Sequence, residues 1–301
     1  MESWRDMFLF DTFWTEAFRS LMPWAEPFFR VITELGSDYF FVALIAIGFW
    51  AVDKRASTVT AFVLIVSVVS NYWLKITFRH PRPPSTNWLP GADASNYSLP
   101  SGHAQNSTTF WGWLGIKIKT WWMGVLSAVL IVLIGLSRIY IGVHWLGDVL
   151  SGWAVGLLLL IVLWRLEEPT RATLSKYNPN MLYLGLVVFG LVAMILTELL
   201  SPVTIVGSKD NFGANGGLII GWSIGLALES KYVNFEITPK NGEKWRLALR
   251  GIIGLILVFV TMLGLSPMLP TDVYLLRAIR YALVAIVVAF VWPFLFEKLG
   301  L

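Results

Sequence analysis

Three short patches carry the residues able to do chemistry: Lys75 to Pro83, Pro100 to His103, and Ser137 to Asp148. Of the three histidines in the chain, His103 falls in the second patch and His144 in the third. His144 and Asp148 stand four residues apart where an apolar stretch opens at Leu146, a spacing that puts both on one helix face. A carboxylate so placed can take the proton of one ring nitrogen and fix the tautomer. The other nitrogen is then bare, which is how an imidazole becomes a nucleophile. A purely structural His–Asp hydrogen bond reads equally well from spacing alone. An acid within a membrane span is costly, however, so Asp148 needs a purpose.

Pro100-Ser101-Gly102-His103 sits at the mouth of a short apolar stretch. Small Ser101 and Gly102 leave backbone N–H groups free to point at a ligand, and a helix start favours an anion. Ser101 adds a hydroxyl and His103 a proton carrier. The bland reading is a serine N-cap, worth about 1 kcal/mol. In the first patch Lys75 supplies a point charge, and Arg82, followed by Pro83, a planar fork suited to two phosphate oxygens. Arg138 adds another fork in the third. Each cation alone reads as a snorkelling helix end. Two histidines, two arginines, a lysine and a serine on one membrane face together make a phosphate-handling site.

The elements that must position these residues are membrane helices. Hydrophobic residues make up 56% of the 301 and charged residues 14%, with mean hydropathy +0.66. That balance is not that of a soluble domain. Sixteen Trp suit headgroup-level belts. No Cys is present, which removes disulfides and thiolate chemistry, and no cofactor is expected. The three His show no metal-binding run, so no metal is expected either. The modest charge of +4, spread along the chain, argues against a nucleic-acid partner.

Spans of roughly 20 apolar residues number about nine. They run near Val31–Ala51, Ser57–Phe78, Gly102–Ile116, Trp121–Ser137, Leu146–Trp164, Met181–Leu200, Gly213–Glu229, Leu247–Leu265 and Leu276–Phe296. The expected fold is all-α, a polytopic transmembrane helical bundle. Residues 1–30 read as an interfacial N-terminal helix, with Phe10, Trp14, Phe18 and Leu21 on one stripe. Residues 31–166 form the core and 181–301 additional C-terminal helices. Parity gathers most Lys and Arg on one side, which marks it as cytoplasmic, and puts all three patches on the other. Gly217, Gly221 and Gly225, like Gly152 and Gly156, repeat at a spacing that suits close helix packing.

Lys75…Arg82-Pro83, Pro100-Ser101-Gly102-His103 and Ser137-Arg138…His144…Asp148 resemble the three-part signature of the type 2 phosphatidic acid phosphatase superfamily. Order and internal spacings match, over a segment from about Ser57 to Trp164. The resemblance implies a metal-independent phosphatase. His144 would attack phosphorus to form a phosphohistidine, with Asp148 orienting it. His103 would protonate the leaving oxygen and then activate water. Lys75, Arg82, Ser101, Arg138 and the Gly102 N–H would hold the phosphoryl oxygens. The nine-span layout is also similar to the glucose-6-phosphatase branch.

A lipid-linked phosphate or pyrophosphate is the expected substrate, of the polyprenyl pyrophosphate or of the phosphatidate and phosphatidylglycerophosphate type, with membrane lipids as surroundings. A small soluble ester such as a sugar phosphate is the alternative, as is a lipid phosphotransferase. A transporter is a more distant one, since no paired half-chain repeat appears. Arg79 and His80 could meet a second phosphate or simply end a helix. Asn71 reads as an interhelical hydrogen bonder. Asn96-Tyr97-Ser98 fits a glycosylation acceptor by pattern. Pro202–Gly217, with Lys209 and Asp210, reads as a connector or as a lid.

Overall fold

The computed structural model describes residues 8–202, 211–238 and 243–301, and all regular structure among them is helical. Lys209 and Asp210 of the suggested lid lie outside the described residues. The N-terminal part holds α1 (Phe13–Leu21), α2 (Glu26–Glu34), α3 (Asp38–Ala51) and α4 (Lys54–Phe78). Then come α5 (Gly102–Ile118), α6 (Trp121–Ile141) and α7 (Leu146–Leu174). The rest holds α8 (Pro179–Leu200), α9 (Gly213–Tyr232), α10 (Trp245–Gly264) and α11 (Tyr274–Leu299), the last with a π-turn at Val287–Val291.

Six of these helices, α4, α6, α7, α8, α10 and α11, are long and apolar enough to cross a membrane. The count becomes seven if α2 and α3 form one broken span. Nine spans are therefore not established. α5 has 17 residues, about 26 Å of helix against a hydrocarbon core of about 30 Å. It also buries Gln105, Asn106, Ser107, Thr108 and Thr109. α9 mixes small residues with Asn215, Ser223 and Glu229.

The expected span Val31–Ala51 is two helices meeting at 49°. Leu35, Gly36 and Ser37 turn tightly onto Ile32, Thr33 and Glu34, and Ser37 Oγ then accepts the Phe40 N–H at 3.3 Å as a helix cap. α7 continues ten residues past Trp164, where an Arg171–Glu168 pair at 3.3 Å suits a helix leaving the apolar layer.

The chain divides into two compact units, Met1–Phe41 with Phe62–Leu166, and Val42–Ala61 with Glu167–Leu301. Residues 42–61, assigned above to the 31–166 core, group with the C-terminal unit for stated reasons. Trp50 Nε1 donates to Val288 O at 2.8 Å, and Lys54 pairs with buried Glu229 at 2.6 Å. In that unit a Cβ on Gly217 or Gly221 would lie 2.1 and 2.2 Å from the Ala278 and Ala282 carbonyl oxygens of α11. The glycine stripe is a packing seam.

In the first unit α1 docks on the end of α6. Thr15 Oγ1 donates to Ile139 O at 3.1 Å, and Arg19 Nε to Tyr140 O at 2.8 Å. Trp14 and Phe18 pack on a buried cluster of Ala104, Ile139 and Val149. Part of the amphipathic stripe thus faces protein, while Phe13, Leu21 and Trp24 stay exposed.

Candidate active site

The end of α4, the start of α5, the end of α6 and the start of α7 deliver all three patches to one end of the first unit. Arg79 at φ 51° closes α4, and Pro81, Pro83 and Pro84 forbid its resumption. α6 ends at Gly142 with φ 86°, where a Cβ would stand 2.2 Å from the Asn87 carbonyl oxygen. Only glycine turns the chain there.

Arg82 is tied into these loops. Its Nε donates to Asn96 O at 2.9 Å, Nη2 to Ser95 O at 2.6 Å and Nη1 to Val143 O at 2.9 Å. Nη1 also lies 3.1 Å from His144 Nε2. A guanidinium only donates, so Nε2 is the accepting nitrogen and the ring proton sits on Nδ1. Nδ1 stands 3.2 Å from Asp148 Oδ2. The bare nitrogen expected from spacing therefore faces a cation.

His144 is not on α7, as the i,i+4 spacing suggested, but in the turn before it. Asp148 reaches back from the first turn and accepts the Trp145 N–H at 2.9 Å, the acid half of a capping box. One carboxylate oxygen thus both starts the helix and orients the imidazole.

Ser101 caps α5, accepting the Ala104 N–H at 3.5 Å, while its own N–H donates to Asp148 O at 2.9 Å. A Cβ on Gly152 would stand 2.7 Å from Ser101 O, so the glycine lets α7 press against this turn. Asn71 Nδ2 donates to Pro100 O at 3.3 Å and to Gln105 Oε1 at 2.9 Å, the interhelical bonding expected of it. Lys75 Nζ donates to Tyr97 O, and to Ser98 O at 3.2 Å. Arg138 Nη1 donates to Thr33 Oγ1 at 2.7 Å, and its buried Nε has no hydrogen-bond partner. His103 lies within electrostatic reach of Arg138, Arg82 and Lys75.

Burial first, then Arg82, Lys75, Arg138 and His103, hold the His144 imidazole well below the usual histidine range. That shift favours the neutral imidazole, whose Nε2 carries a lone pair. Gly102, His103 and Arg82 are the partly open members of a group otherwise buried, so an anion would enter past them. A neutral imidazole, a second histidine and three cations in one cluster suit phosphoryl transfer.

Every candidate residue lies in this cluster. Sequence reasoning missed Ser98, which is fully buried, donates to Asp148 Oδ2 and stands 3.3 Å from His144 Nδ1. Read only as part of a glycosylation pattern, it carried no catalytic signal, and its burial argues against that pattern being used. Arg79 and His80 sit in different surroundings. Arg79 is exposed, whereas His80 is buried with Nδ1 3.8 Å from Asp148 Oδ1.

The PAP2 superfamily profile matches residues 56–171, and a profile described as PAP2 superfamily phosphatase, transmembrane extension, matches residues 213–301. Phosphatidylglycerophosphatase B of Bacillus subtilis is 29% identical over 167 residues, covering 51% of this chain and 81% of its own. Sphingosine-1-phosphate phosphatase 1 of Mus musculus is 24% identical over 245 residues, 75% of this chain and 56% of the relative. Undecaprenyl-diphosphatase of Sulfolobus acidocaldarius is 28% identical over 130 residues, 42% and 62% respectively. The chain thus spans less than two thirds of the last two. A crystal structure of a transmembrane PAP2 type phosphatidylglycerolphosphate phosphatase from Bacillus subtilis aligns with TM-score 0.46 and 26% identity, over 52% of this chain and 84% of that one.

Proposed function

Because the chain belongs to the PAP2 superfamily, we propose that this integral membrane protein is a phosphatase that hydrolyses a lipid-linked phosphate through a phosphohistidine on His144. The observation that carries the reading is the double tether of one imidazole. Nδ1 is held by Asp148 at 3.2 Å, and Nε2 is met by Arg82 at 3.1 Å.

In the first step His144 Nε2 forms a bond to phosphorus while the phosphorus–oxygen bond to the alcohol breaks. His103, which takes up a proton as the anionic phosphate enters, gives that proton to the departing oxygen. Lys75, Arg82, Arg138, Ser101 and the Gly102 N–H hold the equatorial oxygens, where charge gathers. Arg82 transfers its Nη1 donor from Nε2 to a phosphoryl oxygen as substrate enters. Asp148 stabilises the imidazolium that forms. In the second step His103 takes a proton from water, the water oxygen bonds to phosphorus, and the phosphorus–nitrogen bond breaks. The products are the free alcohol and inorganic phosphate, without a metal.

Two lines support a lipid substrate facing the non-cytoplasmic side. The relatives are named for lipid phosphates and diphosphates. Lys54, Arg55, Lys117, Lys119, Arg165 and Arg171 lie toward the helix ends opposite the patches, the arrangement of cytoplasmic loops. We assign catalysis to the 31–166 segment, with 181–301 as added membrane helices and 1–30 as an interfacial element.

The test is phosphate release by detergent-purified protein from a phosphatidate-type lipid, a prenyl pyrophosphate and a sugar phosphate. Turnover of either lipid should exceed that of the sugar phosphate by at least about tenfold, since the tail contributes binding energy the sugar lacks. Preference for the sugar phosphate overturns the lipid assignment.

A further inference from the structure

The Asp148 carboxylate is used unevenly. Oδ2 accepts from Ser98 Oγ, from Trp145 N at 2.9 Å and from His144 Nδ1 at 3.2 Å. Oδ1 is equally sealed from solvent and has no hydrogen-bond partner. An ionised oxygen kept from water needs a donor directed at it. The atom opposite Oδ1 is His80 Nδ1, at 3.8 Å.

His80 is held there from several sides. Its carbonyl accepts the Ser98 N–H at 2.8 Å, and its ring lies against Phe10 with centroids 4.6 Å apart. Phe10 in turn covers Gly147, where a Cβ would stand 2.6 Å from the phenyl ring. The N-terminal segment, the α4–α5 loop and α7 therefore close on one imidazole. His80 is 7% exposed, buried between these segments.

We infer that His80 is a positioning residue, presenting Nδ1–H to Asp148 Oδ1 so that the carboxylate cannot turn while Oδ2 orients His144. The inference rests on the roles proposed above for His144 and Asp148. Burial pushes the His80 imidazole below the usual histidine range, so it contributes an N–H dipole rather than a charge. Because a carboxylate oxygen only accepts, the tautomer that fits carries its proton on Nδ1. From 3.8 Å, a short advance of the His80 ring brings Nδ1 into hydrogen-bond range of Oδ1 and holds the carboxylate at both ends.

The experiment compares His80→Asn and His80→Gln, each in the parent and in the Asp148→Asn background, with His144→Ala as control. The Asn amide stands near the place of Nδ1 and the Gln amide near that of Nε2. His80→Gln should lower kcat by about tenfold with KM unchanged, and His80→Asn should recover most of that loss. Neither should lower kcat further once Asp148 is Asn, since the effect runs through that residue. Equal activity of Asn and Gln variants, a loss confined to KM, or an undiminished loss in the Asp148→Asn background overturns the inference. Near-normal activity of His144→Ala instead overturns the underlying nucleophile reading, and the two failures are distinct.

Discussion

Arg82 Nη1 lies 3.1 Å from His144 Nε2, the nitrogen proposed to attack phosphorus. One contact fixes the tautomer, since arginine cannot accept, and parks a phosphate-binding donor on the lone pair until an anion claims it. In the proposed mechanism, binding of the phosphoryl group and release of the nucleophile are the same event.

Arg82→Lys keeps the charge but loses the planar fork that also reaches Asn96, Val143 and Ser95. Phosphate release should fall about a hundredfold, as for loss of a transition-state donor. Modification of His144 by diethyl pyrocarbonate should become faster as Nε2 is uncovered. An unchanged rate of both contradicts the parked-donor arrangement.

The pH dependence has a definite sign. Burial and then Arg82, Lys75, Arg138 and His103 lower the His144 pKa, so its neutral form persists below the ordinary histidine range. The acid limb of kcat/KM due to His144 should lie on that low side. Arg82→Gln removes a cation that disfavours imidazolium, so the limb should move to higher pH. Titration of ring-labelled His144 by NMR checks this directly, and a move to lower pH refutes it.

Ser98→Ala removes a donor from Asp148 Oδ2 while sparing the Trp145 N–H and the backbone carbonyl that receives Lys75. We expect kcat to fall by about tenfold, the size of one buried hydrogen bond to a charged group, with thermal unfolding little changed. Equal kcat in steady-state assays removes Ser98 from the site.

Activity should survive excess chelator. The phosphoryl cradle is cationic, and among the described residues no three His, Cys, Asp or Glu gather as a metal site needs. Complete loss on chelation, restored by magnesium, contradicts that mechanism.

Much of the site was legible because its residues recur at fixed spacings beside apolar stretches. Lys75, Arg82, His103, Arg138, His144 and Asp148 are long or charged groups whose presence at span ends needs explaining. Ser98 and His80 were not legible in those roles. Serine is common in loops, and a histidine beside Arg79 and Arg82 looks like one more basic group. Only the folded loop turns Ser98 inward and His80 behind Asp148. The helix pattern was readable for α4 and α6 to α8. The break at Gly36-Ser37 was hidden because both sides are apolar enough to pass as one span.

The central claim is that phosphorus bonds to His144. Rapid acid-free quenching of protein turning over p-nitrophenyl phosphate, followed by peptide mass spectrometry, reads this directly. The expected result is an acid-labile phosphate on His144, present in the parent and absent in folded His144→Ala. Phosphate on another side chain, or near-parent turnover by His144→Ala, contradicts it.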